Sequence, residues 1–190
     1  ALYAFTECEV SISPNACVII DDKPHFQCVN EILTITTNHT VELLKRELKI
    51  KLEELQEKLH FSSLEKIFIE KRIYRNIEEC ETWEAVIQAI DKGLGPYKDM
   101  FLRKITEEDI IKLTEIKIKR ISRYDSFQAD EVITVLKSEI KQVKYDLNNL
   151  IDYAIAYFEN LIEKYGKGRE RKTMIRNFDT IQISQVAVAN

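Results

Sequence analysis

Two stretches of heptad-patterned apolar residues, separated by a short insert, constrain this chain more than any other feature. The first covers residues 39–77 and the second about 132–165. In the second, Leu136, Ile140, Val143, Leu147, Leu150, Ala154, Phe158 and Leu161 follow alternating steps of four and three, with one slip near Phe158. That is the repeat of a coiled-coil seam. Lys137, Glu139, Lys141, Lys144, Asp146 and Asp152 occupy the remaining faces, as solvated positions should. The first stretch offers Val41, Leu44, Leu48, Leu52, Leu55 and Leu59, then Leu64, Ile67 and Ile73. Ser62 and Glu65 have capping-box spacing and predict a break near His60. Two such stretches bury their seams by folding back on each other. An ordinary bundle would need a third long helix, which the pattern does not supply. The expected fold is therefore mainly α: a long antiparallel coiled-coil arm, a small helical head and a short strand-containing base. Roughly 34 helical residues would span about 50 Å.

The predicted organisation has five parts. Residues 1–38 are the base and 39–77 the first arm. Residues 78–126 form the head, 127–166 the return arm, and 167–190 a basic connector with a terminal strand. In the base, Cys8, Val10 and Ile12 alternate with polar neighbours, Pro14-Asn15 turns the chain, and residues 16–20 read as an apolar strand. Asp21-Asp22-Lys23-Pro24 reads as a turn, and residues 29–35 start a helix leading into the arm. In the head, a helix over 83–92 is expected to end at Gly93, before Gly95-Pro96. Thr106 with Glu107, Glu108 and Asp109 predicts a capped helix start. That helix would carry Ile110, Ile111, Leu113, Ile116, Ile118 and Ile121, with Lys112, Lys117, Lys119, Arg120 and Arg123 on its other face. Ser126 would open the return arm and Gly166 close it. Ile181, Ile183, Val186 and Val188 suggest the terminal strand.

Charged residues make up 32% of the 190, and there are only four Gly and three Pro, a balance that favours ordered helix over disorder. The formal net charge is −4 and the pI about 5.6, so the chain as a whole is not built as a basic nucleic-acid module. No apolar run is long enough for a membrane span. The chain opens on Ala-Leu-Tyr-Ala-Phe rather than Met, and an excised fragment is expected. Cys8, Cys17, Cys28 and Cys80 form no CxxC pair, and His25, His39 and His60 lie apart, so no metal site is expected. Phosphate-cradling glycine loops, an HExxH motif and a DxDxD cluster are all missing, so no catalytic residue is assigned. Tyr124, Tyr153 and Tyr157 are read as packing residues. The basic run of Lys167, Arg169, Arg171, Lys172 and Arg176 has two readings: DNA-phosphate contact or a solvated connector. Lys167, Arg169, Arg171 and Lys172 are its candidate contact residues.

The head carries more apolar residues than a core of about 48 residues should cover, and small cores often gain cover from a second copy. A symmetric head-to-head contact is therefore expected. Its candidate residues are Ile110, Leu113, Thr114, Ile116, Lys117, Arg120 and Ile121.

Three segments resemble a known family. Residues 113–125 (LTEIKIKRISRYD) resemble the apolar, basic dimerisation helix between the coiled-coil arms in the A subunits of bacterial type IIA DNA topoisomerases, DNA gyrase and topoisomerase IV. Residues 165–173 (YGKGRERKT) resemble that family's FGDERRT text after the return arm, with Met174 where an acid is common. Residues 15–24 resemble its stretch before the first arm. The first arm lacks the Arg-rich text of gyrase, which favours a topoisomerase IV-like or divergent branch. The resemblance implies the coiled-coil and C-gate part of the A subunit, a homodimer that gates exit of a transported DNA duplex. The parent would break and reseal double strands, with ATP and Mg²⁺ acting through the topoisomerase B subunit and no cofactor in this portion, which would be inactive alone. It also implies a cytoplasmic, nucleoid-associated setting. An adaptor coiled coil without an enzymatic parent is the alternative.

Overall fold

The computed structural model describes residues 6, 7, 10, 12, 16–78, 80–122 and 124–174. The expected Cys8 pattern, the turn at Pro14-Asn15, the terminal strand over 181–188, Arg123 and Arg176 lie outside the described residues. The fold is mainly α, with six α-helices and one two-stranded antiparallel sheet among the described residues. It divides into two compact units, one of residues 42–154 and one of residues 1–41 with 155–190.

In the unit that holds the chain ends, β1 (Ala16–Ile20) pairs with β2 (Lys23–Gln27), with Ile20 opposite Lys23. The two-residue loop puts Asp21 and Asp22 at φ 49° and 60°. Positive φ at both central residues is the type I′ turn, whose twist suits a hairpin, and Asp tolerates it. Helix α1 (Val29–Glu70) follows, and the Glu31 carboxylate accepts the Cys28 N–H at 2.9 Å. This is the returning half of a capping box.

The predicted break near His60 is not there: α1 runs unbroken for 42 residues. Neither member of the supposed capping box acts as one. The Glu65 carboxylate is engaged by Arg120, and next to Ser62 the Ser63 hydroxyl donates to the Leu59 carbonyl at 2.8 Å. Both arrangements are compatible with continuing helix. The helix ends at Glu70 because Arg72 takes a left-handed conformation, φ 55° and ψ 34°, and a short 3₁₀ helix (Ile73–Ile77) begins.

The return path is α5 (Ser126–Asn148) and α6 (Leu150–Tyr165). The cap of α5 is Asp125, whose carboxylate accepts the Phe127 N–H at 2.9 Å. The return helix is interrupted at Asn149 (φ −116°, ψ 48°), where the side-chain amide donates to the Tyr145 carbonyl at 2.9 Å. Consecutive Asn residues compete in this way with helical hydrogen bonding. Leu48, Leu55 and Leu59 of α1 are buried against Ile140 and Val143 of α5, flanked by Leu52, Ile133, Leu136, Leu147, Leu150 and Tyr153. Glu70 meets Ser126 and Lys66 meets Asp130, which fixes the two helices as antiparallel. Each buried Leu or Ile stabilises by about 2 kcal/mol, whereas exposed ion pairs such as Lys66–Asp130 give at most about 1 kcal/mol. The apolar seam therefore holds the pair.

The head consists of α2 (Trp83–Leu94), a 3₁₀ helix (Gly95–Met100), α3 (Glu107–Thr114) and α4 (Ile118–Ser122). Gly93 does not end α2. A Cβ there would lie 2.7 Å from Ile73 Cγ2, so glycine is what lets α2 close on the 3₁₀ helix. The single helix expected from Thr106 onward is two, parted at Glu115. Leu64, Ile67, Phe68 and Ile69 at the end of α1 complete the head core, with Ile73, Val86, Ile90, Leu94, Ile110 and Leu113. The head thus covers its apolar residues by wrapping the last two turns of α1, a source of cover that its own length does not reveal.

Candidate functional site

Thr106 caps α3 as predicted. Its hydroxyl accepts the Asp109 N–H at 3.3 Å, and the Asp109 carboxylate accepts the Thr106 N–H at 2.9 Å. Asp109 is only 2% exposed, so its charge needs a partner. Arg103 supplies it: Nη1 and Nη2 donate to the two carboxylate oxygens at 2.6 and 2.9 Å. The same guanidinium donates to Glu57 of α1 through Nε and Nη2, at 2.8 and 2.7 Å. One planar fork therefore ties the cap of α3 to α1, which a lysine could not reproduce.

Burial alone would push the Asp109 carboxyl up. Hydrogen bonds from Arg103 and from the Thr106 backbone and hydroxyl outweigh it and hold the group well below the usual carboxylate range. The hydrogen bond from Arg103 likewise lowers Glu57, and both carboxylates raise Arg103. His60 is 1% exposed, with its Nε2 3.4 Å from Asp109 Oδ2 but not aligned for a hydrogen bond, and its ring edge-on to Phe101. Desolvation first, and then the Arg103 charge, lower its pKa, so it is neutral at pH 7. This cluster packs the head onto α1 and offers no activated nucleophile. Its residues escaped the sequence reading apart from the Thr106–Asp109 spacing, because Arg103 finds Glu57 across 46 positions.

A second polar link joins α4 to α1. Arg120 Nη2 donates to Glu65 at 2.8 Å. Beside it, Tyr124 is pushed up to about 12 by desolvation and by Glu70, Glu65 and Asp130. These residues line one flank together with Ser62, Gln128 and Val132.

The residues expected at the dimer contact are not all in one place. Ile110 and Leu113 are buried in the head's own core. Ile116 and Ile121 pack half-buried against that core, and the Thr114 hydroxyl donates to the Ile111 carbonyl. Lys117 is exposed and Arg120 is occupied by Glu65. Next to Lys117, Ile118 is 82% exposed. In the basic segment, Lys167, Arg169, Arg171 and Lys172 are all exposed, and none is in an ion pair among the described residues. Helix α6 stops at Tyr165, the Gly166 N–H donates to the Ile162 carbonyl, and the left-handed residue is Gly168 at φ 80°.

Cys17, Cys28 and Cys80 are free thiols. Among the described residues no group of three His, Cys, Asp or Glu could hold a metal ion, and no helix is long and apolar enough to cross a membrane.

Residues 1–159 match the family model that describes the A subunit of DNA gyrase/topoisomerase IV. The chain is 29% identical over 189 residues to the A subunit of DNA topoisomerase 4 from Borreliella burgdorferi. That match takes in the whole of this chain and spans 30% of the length of the relative. With well over half of its residues inside the family match, the chain belongs to the family of DNA gyrase/topoisomerase IV A subunits.

Proposed function

We propose that this chain is the coiled-coil and C-gate portion of a topoisomerase A subunit, that it dimerises through its head, and that it gates exit of a transported duplex. The observation that carries the reading is α4. This short helix holds Ile118 82% exposed beside Lys117, on a head that also shows Met100 and Leu102 to solvent. A large apolar side chain displayed in this way gains free energy once a second copy covers it. Ile116, Lys117, Ile118 and Ile121 form the contact edge, and Ile110 and Leu113 support it from beneath. Thr114 and Arg120 fix its shape through Ile111 and Glu65. The paired helices behind the head carry its position to the rest of the parent protein.

On this reading the parent catalyses double-strand passage on DNA together with the topoisomerase B subunit. ATP and Mg²⁺ belong to that partner, and the chain described here moves DNA without reacting with it. Family membership favours this over an adaptor without an enzymatic parent. Sedimentation equilibrium tests it. The chain should run as a dimer at micromolar concentration, and Ile118→Glu should give monomer with the wild-type helix content by circular dichroism. A monomeric wild-type chain at high micromolar concentration would refute the reading.

A further inference from the structure

The seam between α1 and α5 has two flanks of opposite character. At about 100° per residue, Lys137, Lys141 and Lys144 fall within an arc of roughly 60° along one edge of α5. All three are exposed, and none is in an ion pair among the described residues. Lys45 and Lys49 of α1 lie on the same side, also exposed and outside any described ion pair. The acids nearby are Glu42 and Glu53, toward the outer face. Asp130, further along the α5 edge, is already neutralised by Lys66.

The opposite flank carries Glu47, Glu54, Glu139 and Asp146 against Lys51 and Lys58. Two observations show that the wheel positions of the two helices agree. Glu65 of α1 lines a common cavity with Gln128 and Val132 of α5. Tyr153 is raised by desolvation and then by Glu47 and Asp146, which places those two acids together on its side. The lysines therefore sit on the far side of both helices from the acids.

We propose that this lysine flank of the paired helices contacts the phosphate backbone of double-stranded DNA. The three α5 lysines span about 10.5 Å along the helix axis, a length that covers about four successive phosphates of one strand at a rise of about 3.4 Å. Lysine is a point charge that suits phosphate without base readout, as passage of any sequence requires. An acidic protein segment is the competing occupant. DNA is favoured because the charges form a regular row, and beside it stands Tyr145, one turn beyond Lys141 and 61% exposed, rather than the cluster of anchors that protein interfaces need. The choice of DNA rests on the gate reading above.

The test uses the chain itself and a fluorescent duplex, with binding followed by anisotropy across a salt series. Lys137→Gln, Lys141→Gln and Lys144→Gln together should make the log–log salt slope shallower by about 2–3. Arg at the same positions should restore it, and Lys51→Gln with Lys58→Gln should leave it unchanged. An unchanged slope in the triple variant would overturn the proposal. So would a loss seen only when Lys167, Arg169, Arg171 and Lys172 are replaced, or tighter binding of polyglutamate than of DNA at matched charge. The two readings fail separately. A monomeric chain with a lysine-dependent slope sinks the gate and spares the flank; a dimer without that slope does the reverse.

Discussion

Arg103→Met removes the fork between Glu57 and Asp109 while keeping most of the side chain's bulk. The two halves of that fork differ in worth. The Glu57 side chain is 57% exposed, so its share is an ordinary surface pair of about 0.5 kcal/mol. The Asp109 side chain is 3% exposed, and losing its partner strands a buried carboxylate. Breaking a buried pair from one side costs about 3–5 kcal/mol. Here Thr106 still donates two hydrogen bonds, so the expected loss is nearer about 3 kcal/mol. Trp83 is the sole tryptophan and opens α2 of the head, so its fluorescence during urea unfolding reads the affected region. Asp109→Asn added to Arg103→Met should recover part of the loss, since the stranded charge is gone. The acid limb adds a second readout. The Asp109 pKa is lowered in the folded chain, so its stabilisation is present above the unfolded value, about 3.9. It is lost as pH falls through the folded value, and Arg103→Met should flatten that loss. A variant within about 0.5 kcal/mol of wild type would refute the claim that Arg103 compensates a buried charge.

Gly93→Ala should destabilise the head by about 1–3 kcal/mol, because the new methyl meets Ile73, and overpacking outweighs the gain in helix propensity. Urea midpoints compared with Gly95→Ala, where nothing lies within 4 Å, separate the two effects. The His60 pKa is lowered in the folded chain, so unfolding takes up a proton and stability should fall as pH drops below about 6.5. His60→Gln should abolish that slope between pH 7 and the folded pKa, and a persisting slope would assign it to another group.

The seam was legible because a heptad spacing states directly which face of a helix is buried. Leu48, Leu55, Leu59, Ile140 and Val143 lie where the pattern puts them. The Thr106 cap was legible for a related reason: its partner is three residues away. Local spacing misled where a distant group takes the side chain. Glu65 has capping-box spacing from Ser62, yet Arg120 claims it across 55 positions, and the helix continues. Gly93 has the look of a terminator, but its role is set by Ile73 on another helix. Ile110 and Leu113 looked uncovered because the head was counted without the end of α1 that completes its core. Arg103 sits in a polar loop with no pattern at all, and only the fold brings Glu57 and Asp109 to it.

The central claim is that two copies meet through α4. A spin label placed by Lys117→Cys, with Cys8, Cys17, Cys28 and Cys80 changed to Ser, reads that contact by pulsed electron resonance. The account predicts one narrow copy-to-copy distance, no more than about two helix diameters, roughly 24 Å. A chain that gives no dipolar signal at micromolar concentration, or only long and broad distances, would contradict it.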